Sequence, residues 1–277
     1  MVKHALLSKL NKPVTSIAVV PWLRCDGSRA NDEQLLELSE RFRLAGADAL
    51  GISGCGLEQV RLLLDEQRGA LGQFPSCCPV IFQPPTSPPP DWAALASLDV
   101  DGVLLDESYY QGEFSEHRGS GMSMLVPHAT SVPQLKRLLT GGGALTVQSS
   151  VSRLVVASGS ASKAVRAGEW KAAGGVSQTE QTLLLSELPL AAFSDASIAS
   201  LREAGCAAVF FDFDVPDWPA DPEQLMGALL SKRSQSFGGY GLSIGYGTFQ
   251  SDQYWMNKKI KEAKAYSKKM RKSSEEN

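Results

Sequence analysis

The sequence predicts a closed (β/α)8 barrel followed by a C-terminal extension, and three observations carry that expectation. Short β-rich runs alternate with helical segments, the order that parallel βα units impose. Eight such runs can be placed along the chain. The 277 residues, 43% of them apolar, are enough for one large core, and barrels of this class occupy about 250 residues as a single domain.

The opening stretch, Val2 to Leu10, is amphipathic and is expected to cover the barrel floor. The first strand is predicted over Ser16 to Val20. Asn31 and Asp32 are candidate caps for the first full helix, whose apolar face is Leu35, Leu36, Leu38, Phe42 and Leu44 before Ala45-Gly-Ala-Asp48 stops it. Strands two and three follow at Ala49 to Ile52 and Val80 to Gln83. The proline run Pro84 to Pro90 is stiff and extended, and Asp91 or the prolines open a helix at Trp92. Strand four is Gly102 to Leu105. Tyr109 through Gly121 is too short and glycine-rich for a full fourth helix, so one wall is expected to be thinned there. Met124 to Val126, Ala144 to Gln148, Leu190 to Phe193 and Ala208 to Phe211 complete the eight strands, with Ser149 to Gly175 reading as an insertion. The barrel is thus expected to be irregular around its fourth and sixth units.

Three helix-to-strand turns are alike: Ala45-Gly-Ala-Asp48, Leu98-Asp-Val-Asp101 and Ala204-Gly-Cys-Ala207. This is weak repetition of the βα kind, with a small residue permitting a tight stop. An open Rossmann-like sheet is the alternative, but no GxGxxG follows the first strand, and eight units fit closure better.

The formal net charge is −3, which argues neither for a globally nucleic-acid-binding protein nor for a strongly acidic one. The average hides an asymmetry: residues 257–277 hold eight Lys or Arg against three Glu, so that segment is +5 and the remainder −8. The cysteines at 25, 55, 77, 78 and 206 show no CxxC spacing and read as reduced thiols of a non-secreted protein, the vicinal Cys77-Cys78 pair being the one oddity. With His4, His117 and His128 as the imidazoles, no zinc spacing emerges, and neither metal nor cofactor is assigned. No apolar run approaches the roughly 20 residues of a membrane span, and no signal-peptide core opens the chain. Import into an organelle would imply that a transit peptide has been removed.

From about residue 12 to 230, and most clearly at Phe42 to Ile52, at Val126-Pro-His-Ala-Thr-Ser-Val-Pro-Gln-Leu135 and at Leu201 to Phe213, the chain resembles the indole-3-glycerol-phosphate synthase family, an aldolase-type TIM barrel. The resemblance implies a lysine general acid, acidic partners and a phosphate cradle at the strand tops. This sequence departs from each. Where the family carries Glu-x-Lys after strand one, Val19 and Pro21 stand, and Arg24 nearby is a poor proton donor. The second lysine falls near Phe82 or Gln83. The catalytic glutamate falls on Pro127, although His128 is kept. The phosphate-binding Ser-Gly segment after strand seven is shortened to Phe193-Ser-Asp195, and after strand eight Asp212-Phe-Asp214 would repel a phosphate. These losses point to a catalytically degenerate relative. Asp106-Glu107 and Asp212 with Asp214 are the carboxylates able to hold Mg²⁺ or act as acid and base, against a plain reading as solvated loop charges; His128 is a candidate base or an ordinary hydrogen-bonded loop histidine.

Beyond a barrel domain at 1–232, residues 233–277 form a second region. Its arm alternates glycine with apolar residues and requires a surface to lie on. A basic amphipathic helix from Ser251 or Asp252 to about Lys272 follows, with Met256, Ile260, Ala263, Tyr266 and Met270 as its stripe. The expected partner-binding residues are Phe237, Tyr240, Tyr246, Phe249, Tyr254, Trp255, Lys258, Lys259, Lys261, Lys264, Lys268 and Lys269. The main expectation is a non-catalytic accessory or assembly subunit of a larger complex, organellar and in a chloroplast photosynthetic, docking protein subunits through this tail; an anionic membrane surface is a second possible partner. The alternatives are a small-molecule enzyme on the barrel, an indole-3-glycerol-phosphate synthase-like lyase, and an RNA-associated subunit of an organellar ribonucleoprotein. Outside a plastid, the cytoplasm is the expected location.

Overall fold

The computed structural model describes residues 5–11, 17–25, 31–71, 77–85, 91–106, 124–139, 153–168, 182–192, 194–215 and 227. Eight parallel strands close on themselves in sequential order: β1 (Ala18–Arg24), β2 (Leu50–Ser53), β3 (Val80–Gln83), β4 (Gly102–Leu105), β5 (Met124–Ala129), β6 (Arg153–Ala157), β7 (Thr182–Glu187) and β8 (Ala208–Asp214). Closure runs through β1 and β8, paired from Ala18 opposite Ala208 to Arg24 opposite Asp214. The helices are α1 (Ala5–Leu10), α2 (Asp32–Leu44), α3 (Leu57–Gly69), α4 (Trp92–Ser97), α5 (Val132–Leu139), α6 (Gly159–Arg166) and α7 (Asp195–Glu203).

Strand alternation divides the core into two layers. Val19, Leu23, Leu50, Ile52, Val80, Phe82, Val155 and Phe211 pack outward against Leu35, Leu38 and Phe42 of α2 and their counterparts on the other helices. Val20, Trp22, Ile81, Leu104, Val126, Leu154, Leu185 and Phe210 fill the interior, and Leu6, Leu7 and Leu10 of α1 join them. The amphipathic opening does plug the floor: a Cβ added to Gly102 at the base of β4 would lie 2.9 Å from Leu6.

The repeated turns have a shared physical basis. Gly46, Asp99 and Gly205 all sit at positive φ, 95°, 54° and 85°, one residue beyond the helix cap. This left-handed residue is the common way of ending a helix, and aspartate is among the few side chains that tolerate it. In two of the turns the closing acid then serves the barrel: Asp48 accepts the backbone N–H of Val19 and Asp101 that of Val80, both at 2.9 Å. Asn31 caps α2 through the N–H of Glu33, and Asp91 caps α4 through those of Ala93 and Ala94.

Three expectations are corrected. The sixth strand is Arg153–Ala157 and is followed by a full helix, so the stretch read as an insertion carries the sixth βα unit; its Leu154, Val155, Val156 and Ala157 are all buried, as befits a strand covered on both faces. The predicted sixth strand, 144–148, lies outside the described residues. The seventh strand is Thr182–Glu187, and Leu190–Ala192 is a turn of 3-10 helix with no buried side chain. Finally, β1 runs on to Arg24 rather than ending at Val20. Pro21, whose missing N–H argues for ending a strand, stands ahead of the first β1–β2 pair, Trp22 opposite Gly51. The stretch 109–121, expected to thin one wall, and the tail at 233–277 lie outside the described residues.

The cysteines behave as packing groups. Cys25, Cys55, Cys78 and Cys206 are buried, and none of the five cysteines is in a disulfide. Burial pushes the Cys78 thiol up to about 12, while Cys55 is raised by its hydrogen bond with Cys25 and by burial. Neither is a nucleophilic thiolate at neutral pH.

Trp22 lies so close over β2 that a Cβ on Gly51 would fall 2.1 Å from its ring. Gly51→Ala is therefore expected to lower stability by about 1–3 kcal/mol through overpacking, read as a shift in urea midpoint. Gly69→Ala, at the end of α3 where an added Cβ would meet nothing within 4 Å, is expected to be neutral or slightly stabilising in the same assay.

Candidate active site

Because interior positions alternate, parity sets which residues face inward at the end of each strand or in its immediate extension. In strand order these include Arg24, Ser53, Gln83, Asp106, His128, Ser158, Glu187 and Asp212, with Asp214 beyond Asp212 on β8. All are polar. They stand over a floor that includes Trp22, Leu104 and Phe210, around a cavity of about 530 Å³. The rings of Trp22 and Phe210 are 5.2 Å apart at a tilt of 51°, and the indole N–H donates to Ser53 Oγ at 3.1 Å. A polar rim on an aromatic floor at the strand C-terminal face is where barrels of this class carry chemistry.

Three members of the rim form one chain. Asp106 Oδ1 lies 2.6 Å from His128 Nδ1, and His128 Nε2 lies 2.8 Å from Ser158 Oγ. An ionised carboxylate accepts only, so Nδ1 carries the hydrogen; in the neutral ring Nε2 then presents its lone pair to the serine hydroxyl. His128 is 9% exposed, which holds the imidazole in one orientation. Ser158 occupies the N-cap position of α6 yet makes no capping hydrogen bond, whereas Ser194 in the same position of α7 accepts from the N–H of Ser197 at 3.1 Å. A forgone serine cap costs about 1 kcal/mol; the hydroxyl is turned to the histidine instead.

The other side of the mouth is acidic. Arg24 stands 3.8 Å from both Asp212 and Asp214, separations at which half-exposed pairs contribute little stability. Glu187 accepts the N–H of Gly159 at 2.7 Å, and Arg166 of α6 donates to the backbone carbonyl of Glu187 at 2.8 Å. Burial raises the Asp212 carboxyl above its ordinary value; Arg24 opposes this, and Glu187 and Asp214 add to it. Solvent still reaches 40% of the side chain, yet the walls around it displace much of its hydration. Among the described residues the rim sets the guanidinium of Arg24 against the carboxylates of Asp106, Glu187, Asp212 and Asp214, a balance of −3 with neutral imidazole.

This geometry revises the residue-level expectations. Val19 and Phe82 face the helices, and Pro21 and Pro127 share that parity, so their lack of charge says nothing about the mouth. Gln83, His128 and Asp212 point inward and do line it. Asp106 is hydrogen-bonded to His128, and Asp212 and Asp214, both part-exposed, stand beside Arg24; Glu107 lies outside the described residues. Among the described residues no group of three or more His, Cys, Asp or Glu could hold a metal. Ser158 and Glu187 escaped sequence reading because their strands were misplaced; the signal was the polar residue closing each apolar run, Leu-Val-Val-Ala-Ser158 and Leu-Leu-Leu-Ser-Glu187. The twelve tail residues expected to bind a partner, Phe237 through Lys269, lie outside the described residues. No helix among the described residues is long and apolar enough to cross a membrane.

No protein-family model matches the sequence, and no curated protein does. Solved structures are similar. Tryptophan synthase subunit alpha from Legionella pneumophila superposes with a TM-score of 0.56 at 13% identity, covering 84% of this chain and 97% of that one. (S)-3-O-geranylgeranylglyceryl phosphate synthase from Thermoplasma acidophilum gives 0.52 at 11%, covering 85% and 100%. Orotidine 5'-phosphate decarboxylase from Pyrococcus horikoshii OT3 gives 0.51 at 11%, covering 77% and 98%. These are metabolic enzymes, and together with the assembled polar rim they overturn the expectation of a non-catalytic accessory subunit in a chloroplast photosynthetic complex. At such identities the likeness establishes the fold: the chain is a (β/α)8 TIM barrel of the architecture these enzymes share.

Proposed function

We propose that the chain is an enzyme performing acid–base chemistry on a small uncharged or cationic metabolite held in the barrel mouth. The observation that carries this reading is the Asp106–His128–Ser158 chain, whose His128 and Ser158 line the cavity. His128 is the proton-transfer group; Asp106 is a positioning residue that fixes its tautomer and supports the imidazolium formed when it takes a proton. Asp212, kept closer to its protonated form by burial, is the second acid of the cavity. Paired groups with separate protonation preferences are what proton transfer in both directions needs.

The indole-3-glycerol-phosphate synthase resemblance favours a phosphorylated substrate instead. Glu187, Asp212 and Asp214 weigh against it, since carboxylates on the seventh and eighth strands repel a phosphate and Arg24 offsets one charge of them. Hydroxyl, amide and carboxylate groups over an aromatic floor suit polyols, amines and amino sugars.

Thermal shift against a panel of polyols, amino sugars and sugar phosphates tests the substrate class. A ligand at about 100 times its Kd stabilises by about 2.7 kcal/mol; uncharged or cationic members are expected to raise Tm and sugar phosphates are not. Stabilisation confined to the phosphates overturns the reading. Once a turnover assay is in hand, His128→Gln is expected to lower kcat about 10²–10⁴-fold with KM nearly unchanged.

Asp212 gives a prediction that needs no substrate. Its carboxyl is raised above 3.8 in the folded state, so the native chain holds a proton that the unfolded chain has released, and stability falls as pH rises through that interval. Asp212→Asn removes this slope. Relative to the parent, its Tm is expected to be unchanged below the ordinary carboxylate value and about 1–2 °C higher at neutral pH, the discounted effect of a part-exposed group. A lower Tm at neutral pH, followed by scanning calorimetry, contradicts the assignment.

A further inference from the structure

We propose that Ser158 is a covalent nucleophile, making the enzyme an acyl-transfer hydrolase of uncharged or cationic carboxylic esters or lactones. This rests on the acid–base reading above and deepens it. Ser158 follows β6 directly and precedes α6, a strand–turn–helix corner that lifts its hydroxyl to the rim of the cavity. Nucleophilic serines of unrelated hydrolases are presented at such corners. The next residue, Gly159, turns at φ +55°, and three elements supply the working groups: Asp106 after β4, His128 on β5 and Ser158 after β6.

Each group has the bond its role requires. The hydroxyl is 2.8 Å from His128 Nε2, and the opposite ring nitrogen is 2.6 Å from Asp106, so a neutral imidazole with its hydrogen on Nδ1 accepts the serine proton without changing tautomer. The hydroxyl gives up its capping bond to be there, although Asn31, Asp91 and Ser194 all cap their helices. The amide following a nucleophile is the usual donor to the developing oxyanion. In this chain that amide, Gly159 N–H, already holds an anionic oxygen, the Glu187 carboxylate at 2.7 Å; the substrate oxygen takes this donor over from Glu187.

The step balances as follows. Ser158 Oγ forms a bond to the carbonyl carbon as its proton passes to His128 Nε2. The tetrahedral species collapses, breaking the bond from that carbon to the alkoxy oxygen, which leaves with the proton from His128. Water then attacks the acyl-enzyme, its proton moving through His128 back to Ser158 Oγ, and the carboxylic acid departs. One water is consumed, and nothing is oxidised or reduced.

A fluorophosphonate probe tests this on the full chain without knowledge of the substrate. Intact mass and peptide mapping are expected to show one adduct, on Ser158, displaced fluoride leaving. Ser158→Ala is expected to abolish it, and Asp106→Asn and His128→Gln to slow it about 10²-fold or more. Should Ser158→Ala fail to fold, Ser158→Cys serves: it is expected to lose the fluorophosphonate adduct and gain iodoacetamide reactivity that His128→Gln suppresses. Absence of an adduct on the parent chain, an adduct elsewhere, or full-rate labelling of His128→Gln overturns the proposal. Ligand stabilisation that depends on His128 but comes with no adduct sinks the nucleophile and leaves the acid–base reading standing; loss of both sinks both.

Discussion

Closure of the sheet between β1 and β8 is the constraint on which the rest of the molecule depends. A closed parallel barrel leaves no edge strand, and it fixes for each strand which residues point inward. With the seven residues of β1 aligned one to one with those of β8, Val20 and Trp22 must enter the core and Arg24 must emerge at the mouth. A one-residue slip would exchange the polar rim with the helix-facing apolar set and place carboxylates under the helices. The Trp22–Gly51 contact, the Trp22–Phe210 ring pair and the Arg24 pairs with Asp212 and Asp214 all lie on the strands that make or adjoin this seam.

The mouth depends on that register in a second way. Asp106, His128 and Ser158 come from consecutive strands, so their hydrogen bonds run around the barrel wall rather than across the cavity. Neighbouring strands in a closed sheet cannot drift apart, and the imidazole is therefore oriented by backbone ladders as much as by its own two bonds. Dyads built this way lose little entropy when a ligand arrives.

Much of the fold was legible where chemistry is local. The caps Asn31 and Asp91, the strand Gly102–Leu105 and the left-handed stops at Gly46, Asp99 and Gly205 depend on residues within a few positions of one another. The sixth and seventh strands were not, because several apolar runs of equal quality lie between residues 144 and 193, and composition alone does not say which are buried, as Leu154–Ala157 are and Leu190–Ala192 are not. The site was legible in part: His128 and Asp212 stood out as residue types, but their partners Ser158 and Glu187 close strands that local reading misplaced. Comparing strand ends without parity also gave weight to Val19 and Phe82, which never meet the cavity.

The α1 plug bears on how such a chain folds. Leu6, Leu7 and Leu10 fill the same interior as Ala208 and Phe210, so the floor of the barrel is shared between the two ends of the domain. During synthesis this greasy segment emerges long before β8 exists to enclose it. Pairing elements so distant in sequence is slow, and until the ring shuts the three leucines are exposed to solvent and to other chains. The same helix that seals the finished molecule is thus apolar surface left open on an unfinished one.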